Sequence, residues 1–167
     1  MMVYTRDEYF MYLAMEEARA AAERGEIPVG AVVVRDGNVI ASAGNGRERD
    51  KSAISHAELT AIGRACEVLG GWRLVGCELF VTLEPCPMCM GAIINARVPR
   101  LIFGASDPKG GAVGGLFDMN DFRLNHHPEV VSGVLGDECA EMLRSFFRER
   151  RAGGGFDASK KWRERQK

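Results

Sequence analysis

The sequence predicts an α/β fold of three layers, α/β/α, around a central five-stranded, mostly parallel mixed sheet. Three observations predict it. Stretches with helical spacing alternate with short β-branched runs, glycine, proline or a capping residue punctuates each change, and no segment repeats. One domain is expected from 167 residues, because domains commonly span about 100 to 150 residues and bury a core without staples. With 46% hydrophobic and 27% charged residues, the composition is that of a globular chain and not a disordered one.

Thr5-Arg6-Asp7-Glu8 has the form of a capping box. Phe10, Leu13, Ala14, Ala18 and Ala21 then recur at helical spacing until Gly25, which defines the first helix. Val29 to Arg35 and Val39 to Ala43 read as two strands of a hairpin, turned at Asp36-Gly37-Asn38, and a glycine- and charge-rich loop follows from Gly44 to Lys51. Ser55-His56-Ala57-Glu58 opens a second helix that reaches about Leu69, where Gly70-Gly71 stops it. Glu78 to Thr82 is a buried strand, and Pro85-Cys86-Pro87 begins a helix through about Ala96, with Pro87 suited to a first helical turn. Arg100 to Ala105 is the fourth strand and Val130 to Leu135 the last, separated by a loop-like stretch with one short helix near Leu116 to Phe122. Asp137 to about Arg151 forms a final amphipathic helix. The domain is expected over 1–152 and a polar, basic tail over 153–167.

Composition narrows the function. The N-terminus shows no basic start followed by an apolar block, and nowhere is there a run of about 18 apolar residues, so a cytoplasmic protein is expected. Five cysteines, an odd count in a chain of ordinary size, argue against a secreted disulfide framework. The formal net charge of −1 argues against a general polyanion binder, but Arg144 to Lys167 carries nine Lys/Arg against Glu149, Asp157 and Glu164. That net +6 leaves −7 for the preceding residues. The basic end is either a solvated terminus or a phosphate-binding surface.

The chemistry lies in two short motifs. Cys86 and Cys89, spaced C-x-x-C, can turn both sulfurs to one point, and zinc accepts two thiolates and an imidazole while leaving a fourth position open. His56 is the natural third ligand. One Zn²⁺ per chain is the expected cofactor. The helix beginning at Cys86 favours thiolate over thiol, and the metal acidifies a water at the open position. Glu58 lies two residues beyond His56, about 200° round a helix, so it does not chelate the ion alongside His56. It is placed to take a proton from that water and deliver it to a substrate nitrogen. The order H-x-E…P-C-x-x-C is a known signature of zinc nucleobase deaminases, and His56-Ala57-Glu58 with Pro85-Cys86-Pro87-Met88-Cys89 fulfils it.

Two other readings fit parts of this pattern. A redox C-x-x-C has no use for an upstream His-x-Glu. A closed structural zinc would take a fourth donor from Cys66, Cys77 or Cys139, and Glu58 would then only partner Ser55 in a capping box. Those three cysteines otherwise read as small core residues, and His126 and His127 as loop residues. Gly110 to Gly115 lacks the Gly-Lys-Ser/Thr ending of a phosphate-cradling loop.

From about Thr5 to Arg151 the chain resembles the bacterial tRNA-specific adenosine deaminases of the cytidine-deaminase-like superfamily. Beyond the zinc motifs, the likeness is carried by Ile27-Pro28-Val29-Gly30-Ala31-Val32, Asn45, Phe80-Val81-Thr82-Leu83-Glu84-Pro85-Cys86, and Phe103-Gly104-Ala105-Ser106-Asp107-Pro108-Lys109. Leu124-Asn125-His126 and Ser145-Phe146-Phe147-Arg148 extend it. Lys51-Ser52-Ala53-Ile54-Ser55 departs from the Asp-Pro-Thr that many members carry before the zinc histidine.

The resemblance implies a cytidine-deaminase-like fold, a homodimer, and hydrolysis of adenosine to inosine at the wobble position of an arginine tRNA anticodon. It further implies that Asn45 hydrogen-bonds the flipped base, that Val29 and Ala57 wall its pocket, and that Asp107 and Lys109 sit beside neighbouring nucleotides. Phe146, Phe147 and Arg148 fall on the C-terminal helix near the RNA. An unpaired loop base is splayed out at little cost, which suits an anticodon loop. The alternatives are a deaminase of a free base or nucleoside, such as guanine or cytosine, and a non-catalytic RNA-binding protein with a structural zinc.

Overall fold

A computed structural model describes residues 3–153. The tail expected over 153–167, Trp162 included, lies outside them apart from Gly153. The chain begins with α1 (Arg6–Glu23), whose N-cap Thr5 completes the capping box with Glu8. The hairpin β1 (Gly30–Arg35) and β2 (Asn38–Gly44) turns through Asp36 and Gly37, both at positive φ. A short helix α2 (Arg47–Asp50) precedes α3 (Ala57–Leu69), which Gly70 ends in the left-handed conformation. β3 (Cys77–Leu83), α4 (Pro87–Asn95), β4 (Arg100–Ala105), β5 (Glu129–Val131) and α5 (Gly136–Ala152) complete the order.

The strands form one five-stranded mixed sheet in the order β2-β1-β3-β4-β5. Parallel pairing is confined to β3–β4 and β4–β5, whereas β1 pairs antiparallel with both β2 and β3. The connection through α3 carries the chain past β1, so β3 runs against β1 and only the later crossovers add parallel neighbours.

Alternation along the strands divides the core in two. Val33, Leu79, Val81, Leu101 and Phe103 pack with Ala61, Ile62 and Ala65 of α3 and Met90, Ile93 and Ile94 of α4. Val32, Val34, Phe80 and Ile102 face the other way, onto Phe10, Met11, Ala14 and Met15 of α1 and Cys139 of α5. The expected three layers follow from these two faces.

Three local expectations are corrected. The run Val130 to Leu135 pairs only as far as Val131, because Gly133 and Leu135 take positive φ and turn the chain into α5. Between Leu116 and Phe122 there is a single 3-10 turn, Met119–Asp121, under an N-cap from Asp118. The loop after β2 contains α2, whose first backbone N–H groups at Glu48 and Arg49 are accepted by the buried Glu26 carboxylate at 3.2 and 2.8 Å. Among the described residues, no helix is long and apolar enough to cross a membrane.

Candidate active site

Two helices begin at the same place. His56 is the N-cap of α3 and Cys86 the N-cap of α4, both in extended backbone, and neither side chain caps its own helix. The capping box that would have occupied Glu58 with Ser55 does not form, since the cap falls on His56. With both side chains released, His56 Nδ1 lies 3.7 Å from Cys86 Sγ and 3.4 Å from Cys89 Sγ.

The donor set fits a tetrahedral cation. Bonds of about 2.0 Å to nitrogen and 2.3 Å to sulfur require those ligand atoms to stand roughly 3.5 Å apart. His56, Cys86 and Cys89 form such a group, with every donor atom within 4.8 Å of the others. Among the described residues Glu58, Cys66, Cys77 and Cys139 fall outside it, so none of them closes a fourth position.

Protonation points the same way. The Cys86 thiol is pulled down to about 3, first by the hydrogen bond from Cys89 and then by His56. Cys89, hydrogen-bonded to that thiolate and buried, is pushed up. One sulfur is thus favoured as thiolate and the other as thiol, and a cation held among the three donors would let both ionise. His56 is raised, foremost by its contact with Cys86. Burial pushes the Glu58 carboxyl up to about 6.

A cavity of about 160 Å³ opens beside His56 and Cys86. It is smaller than the roughly 300–1,000 Å³ of pockets that take drug-sized molecules, and suits one ring system. Val29, Asn45, Ala57, Glu58 and Asp107, all singled out from the sequence, line it together with His56 and Cys86. Val29 and Ala57 are buried apolar walls, Glu58 is 4% exposed, and Asn45 is 6% exposed with a buried Oδ1 that has no hydrogen-bond partner among the described residues.

Three expected residues stand apart from the cavity. Lys109 is exposed on the loop after β4, with its backbone N–H donated to Asp107. Phe147 is exposed on α5, and Arg148 is held there by Glu141 at 2.5 Å. Together with Leu143, Arg144 and Arg151 they line a separate surface hollow. Phe146 lines a larger groove of about 910 Å³ between α1 and α5, which contains none of the three donors.

Two charged lining residues were given no role by the sequence reading. Arg47, the first residue of α2, brings a cation to the cavity, and Glu84, buried at the end of β3, brings a carboxylate. Arg47 sits in a charge-rich stretch with no motif to single it out. Glu84 had a signal, a lone acid between an apolar strand and the Pro85-Cys86 turn.

Comparison with known proteins places this geometry. A family model described as MafB19-like deaminase matches residues 5–151. The tRNA-specific adenosine deaminase of Bacillus subtilis (strain 168) is 53% identical over 148 residues, covering 88% of this chain and 92% of its own. The chain belongs to the MafB19-like deaminases and, within them, to the tRNA-specific adenosine deaminase family. A solved structure from studies of A-to-I editing by tRNA:A34 deaminases at the wobble position of transfer RNA is 50% identical to this deaminase. Its TM-score is 0.76, and the match covers 81% of this chain and 99% of that one. A guanine deaminase from Bacillus subtilis is 42% identical with a TM-score of 0.57, over 59% and 64% of the two chains. The tRNA-specific adenosine deaminase family therefore shares its architecture with an enzyme of a different base.

Proposed function

We propose that this chain hydrolyses adenosine to inosine at the wobble position of a tRNA anticodon, with an arginine tRNA as substrate and one zinc ion per chain. The observation that carries the reading is the cavity in which a buried carboxylate and an unpartnered amide oxygen stand beside the His56–Cys86–Cys89 group. The identity of the base and its setting in tRNA rest on the likeness to the tRNA-specific adenosine deaminases.

His56 Nδ1 and the Cys86 and Cys89 sulfurs would hold the zinc, which when bound acidifies a water at neutral pH. Glu58, with its raised carboxyl, accepts the proton that the water gives up and passes it to N1 of the adenine ring. Protonation at N1 makes C6 electrophilic, and the oxygen adds there. Glu58 then takes the remaining hydroxyl proton of the C6 adduct and delivers it to the exocyclic amino group, the C6–N bond breaks, ammonia leaves, and C6 becomes the carbonyl of inosine. Val29 and Ala57 exclude water from the ring faces, and Asn45 Oδ1 accepts a hydrogen bond from the base.

The flanking RNA is met by the rim and by α5. Asp107 and Lys109 stand on the rim loop, and Arg144, Arg148 and Arg151 around the exposed Phe147 offer charge for phosphates and a ring for stacking. The domain of 1–152 acts as a cytoplasmic homodimer in this reading, and the exposed Leu116, Phe117, Phe122 and Leu124 supply apolar surface for such a contact.

The test is deamination of an arginine anticodon stem-loop beside free adenine, guanine and cytosine. Inosine in the stem-loop alone supports the reading. Turnover of a free base alone keeps the site chemistry and overturns the RNA assignment.

A further inference from the structure

Glu84 is 3% exposed, and its carboxylate is spent on backbone. Oε2 accepts the Asp107 N–H at 2.7 Å, and Oε1 accepts the N–H groups of Val113 at 3.1 Å and Gly115 at 2.7 Å. Three charge-assisted hydrogen bonds thus tie the loop after β4 to one side chain. The loop is shaped to admit that side chain. A Cβ on Gly111 would lie 2.2 Å from Glu84 Oε2, and one on Gly115 would lie 2.3 Å from the same atom and 2.2 Å from the Asp107 carbonyl oxygen.

The same segment is fixed on its other side. The Glu84 N–H donates to Ala105 at 2.8 Å, and the Pro85 carbonyl accepts from Ala112 at 2.9 Å, immediately before Cys86. Glu84 is therefore the joint between the strand end that presents Cys86 and the loop that presents Asp107 to the cavity and Lys109 to its surroundings. Asp107 continues the arrangement, since its Oδ1 accepts from Lys109 and Gly110 at 3.0 and 3.1 Å.

We propose that Glu84 is a positioning residue that sets the 107–115 loop at the distance from Cys86 at which Asp107 and Lys109 meet the nucleotides flanking the target base. The proposal rests on the tRNA reading above. Because Glu84 acts on the RNA-side loop and not on the reacting atoms, its loss weakens substrate capture more than turnover. A displacement of about 1 Å at a substrate-positioning group costs on the order of a hundredfold, so a tenfold change is well within reach.

Glutamine keeps the shape of Glu84 but turns an NH₂ toward one of the backbone donors, releasing one arm of the clamp. Glu84→Gln is expected to raise KM for the stem-loop about tenfold while kcat stays within about twofold and metal content stays at the wild-type level. Gly111→Ala, with Glu84 intact, attacks the same contact from the loop side and is expected to reproduce that split. The double variant is expected to be no worse than the more affected single one, because both release the same clamp.

An unshifted KM in either folded variant overturns the proposal, as does a loss confined to kcat or a double variant whose effects multiply. If Glu84→Gln does not fold, Gly111→Ala decides alone. If both fail to fold or both lose metal, Glu84 supports the fold only, and the proposal is wrong. Wild-type protein run alongside separates the two levels. No inosine from the wild type defeats the tRNA reading, whereas normal wild-type turnover with unshifted variants defeats only the role of Glu84.

Discussion

His56 Nδ1 lies 3.4 Å from the sulfur of Cys89, although 33 residues separate them. The contact exists because α3 and α4 begin side by side on one face of the sheet, each with a candidate ligand at or near its N-terminus. Two helix N-termini aimed at one point favour negative charge there, which is what two thiolates bring.

A first prediction follows for the metal. Purified protein is expected to carry about one zinc per chain, and His56→Ala or Cys86→Ser about a tenth of that or less. Glu58→Gln, by contrast, is expected to keep its zinc. Elemental analysis after gel filtration reads all three, and full zinc in Cys86→Ser would contradict the assignment.

Asn45 separates binding from stability. Among the described residues its buried Oδ1 has no hydrogen-bond partner, and its Nδ2 reaches only the Ile27 carbonyl at 3.5 Å. Asn45→Ala should therefore leave the melting temperature unchanged or slightly raised. It should lower kcat/KM on the stem-loop by about 10- to 100-fold, about 1.4 to 2.8 kcal/mol of transition-state stabilisation. A variant of normal activity and lowered stability would make Asn45 structural.

The motif residues were legible because their chemistry is written in local spacing. The Thr5–Glu8 capping box and the Asp36-Gly37 turn each lie within a few residues and form, and His56, Cys86 and Cys89 come together as a group that could hold a metal, with Glu58 lining the adjoining cavity. The roles of Glu26 and Glu84 were not legible, because their partners are backbone N–H groups 22 to 31 residues away that no side-chain pattern records. The glycines of 110–115 were visible, but their reason was not. At Gly111 and Gly115 the space a Cβ would need is filled by Glu84. The run Val130 to Leu135 looked like a full strand because β-branched residues mark surface fit and not backbone direction, and Gly133 and Leu135 turn it early.

The cluster joining α1 to the sheet gives stability a pH dependence. Arg100 bonds Asp7 through both guanidinium ends at 3.1 and 2.7 Å and Glu78 at 2.6 Å, while Arg6 meets Glu78 at 2.5 Å. Arg100 holds the Asp7 carboxyl below its usual range, and Arg6 followed by Arg100 does the same for Glu78. Both carboxyls titrate lower folded than unfolded, so their stabilisation is present above about pH 4 to 4.5 and is lost as pH falls through the folded values. Arg100→Met should cost about 1–2 kcal/mol at pH 7, a figure reduced because the side chains are about a quarter exposed. Urea unfolding should show that cost shrinking as pH falls below the ordinary carboxyl range. A cost independent of pH would contradict the assignment.

Gly30 is where α1 touches the sheet. A Cβ there would lie 2.0 Å from the Ala14 carbonyl oxygen and 2.5 Å from the Ala18 nitrogen, both backbone atoms that cannot turn aside. Gly30→Ala should lower the urea midpoint by an amount equivalent to about 3 kcal/mol, with little change in slope. A loss under about 1 kcal/mol would show that α1 shifts freely on β1.

The central claim is that Glu58 moves the protons of a deamination carried out on an anticodon adenosine. The measurement that tests it is inosine formation in an arginine anticodon stem-loop by zinc-loaded wild type and Glu58→Gln at matched zinc content. Wild type should form inosine at the wobble position alone, and Glu58→Gln should be slower by about 10²- to 10⁴-fold. Equal rates in the two proteins, or no inosine from the wild type, would contradict it.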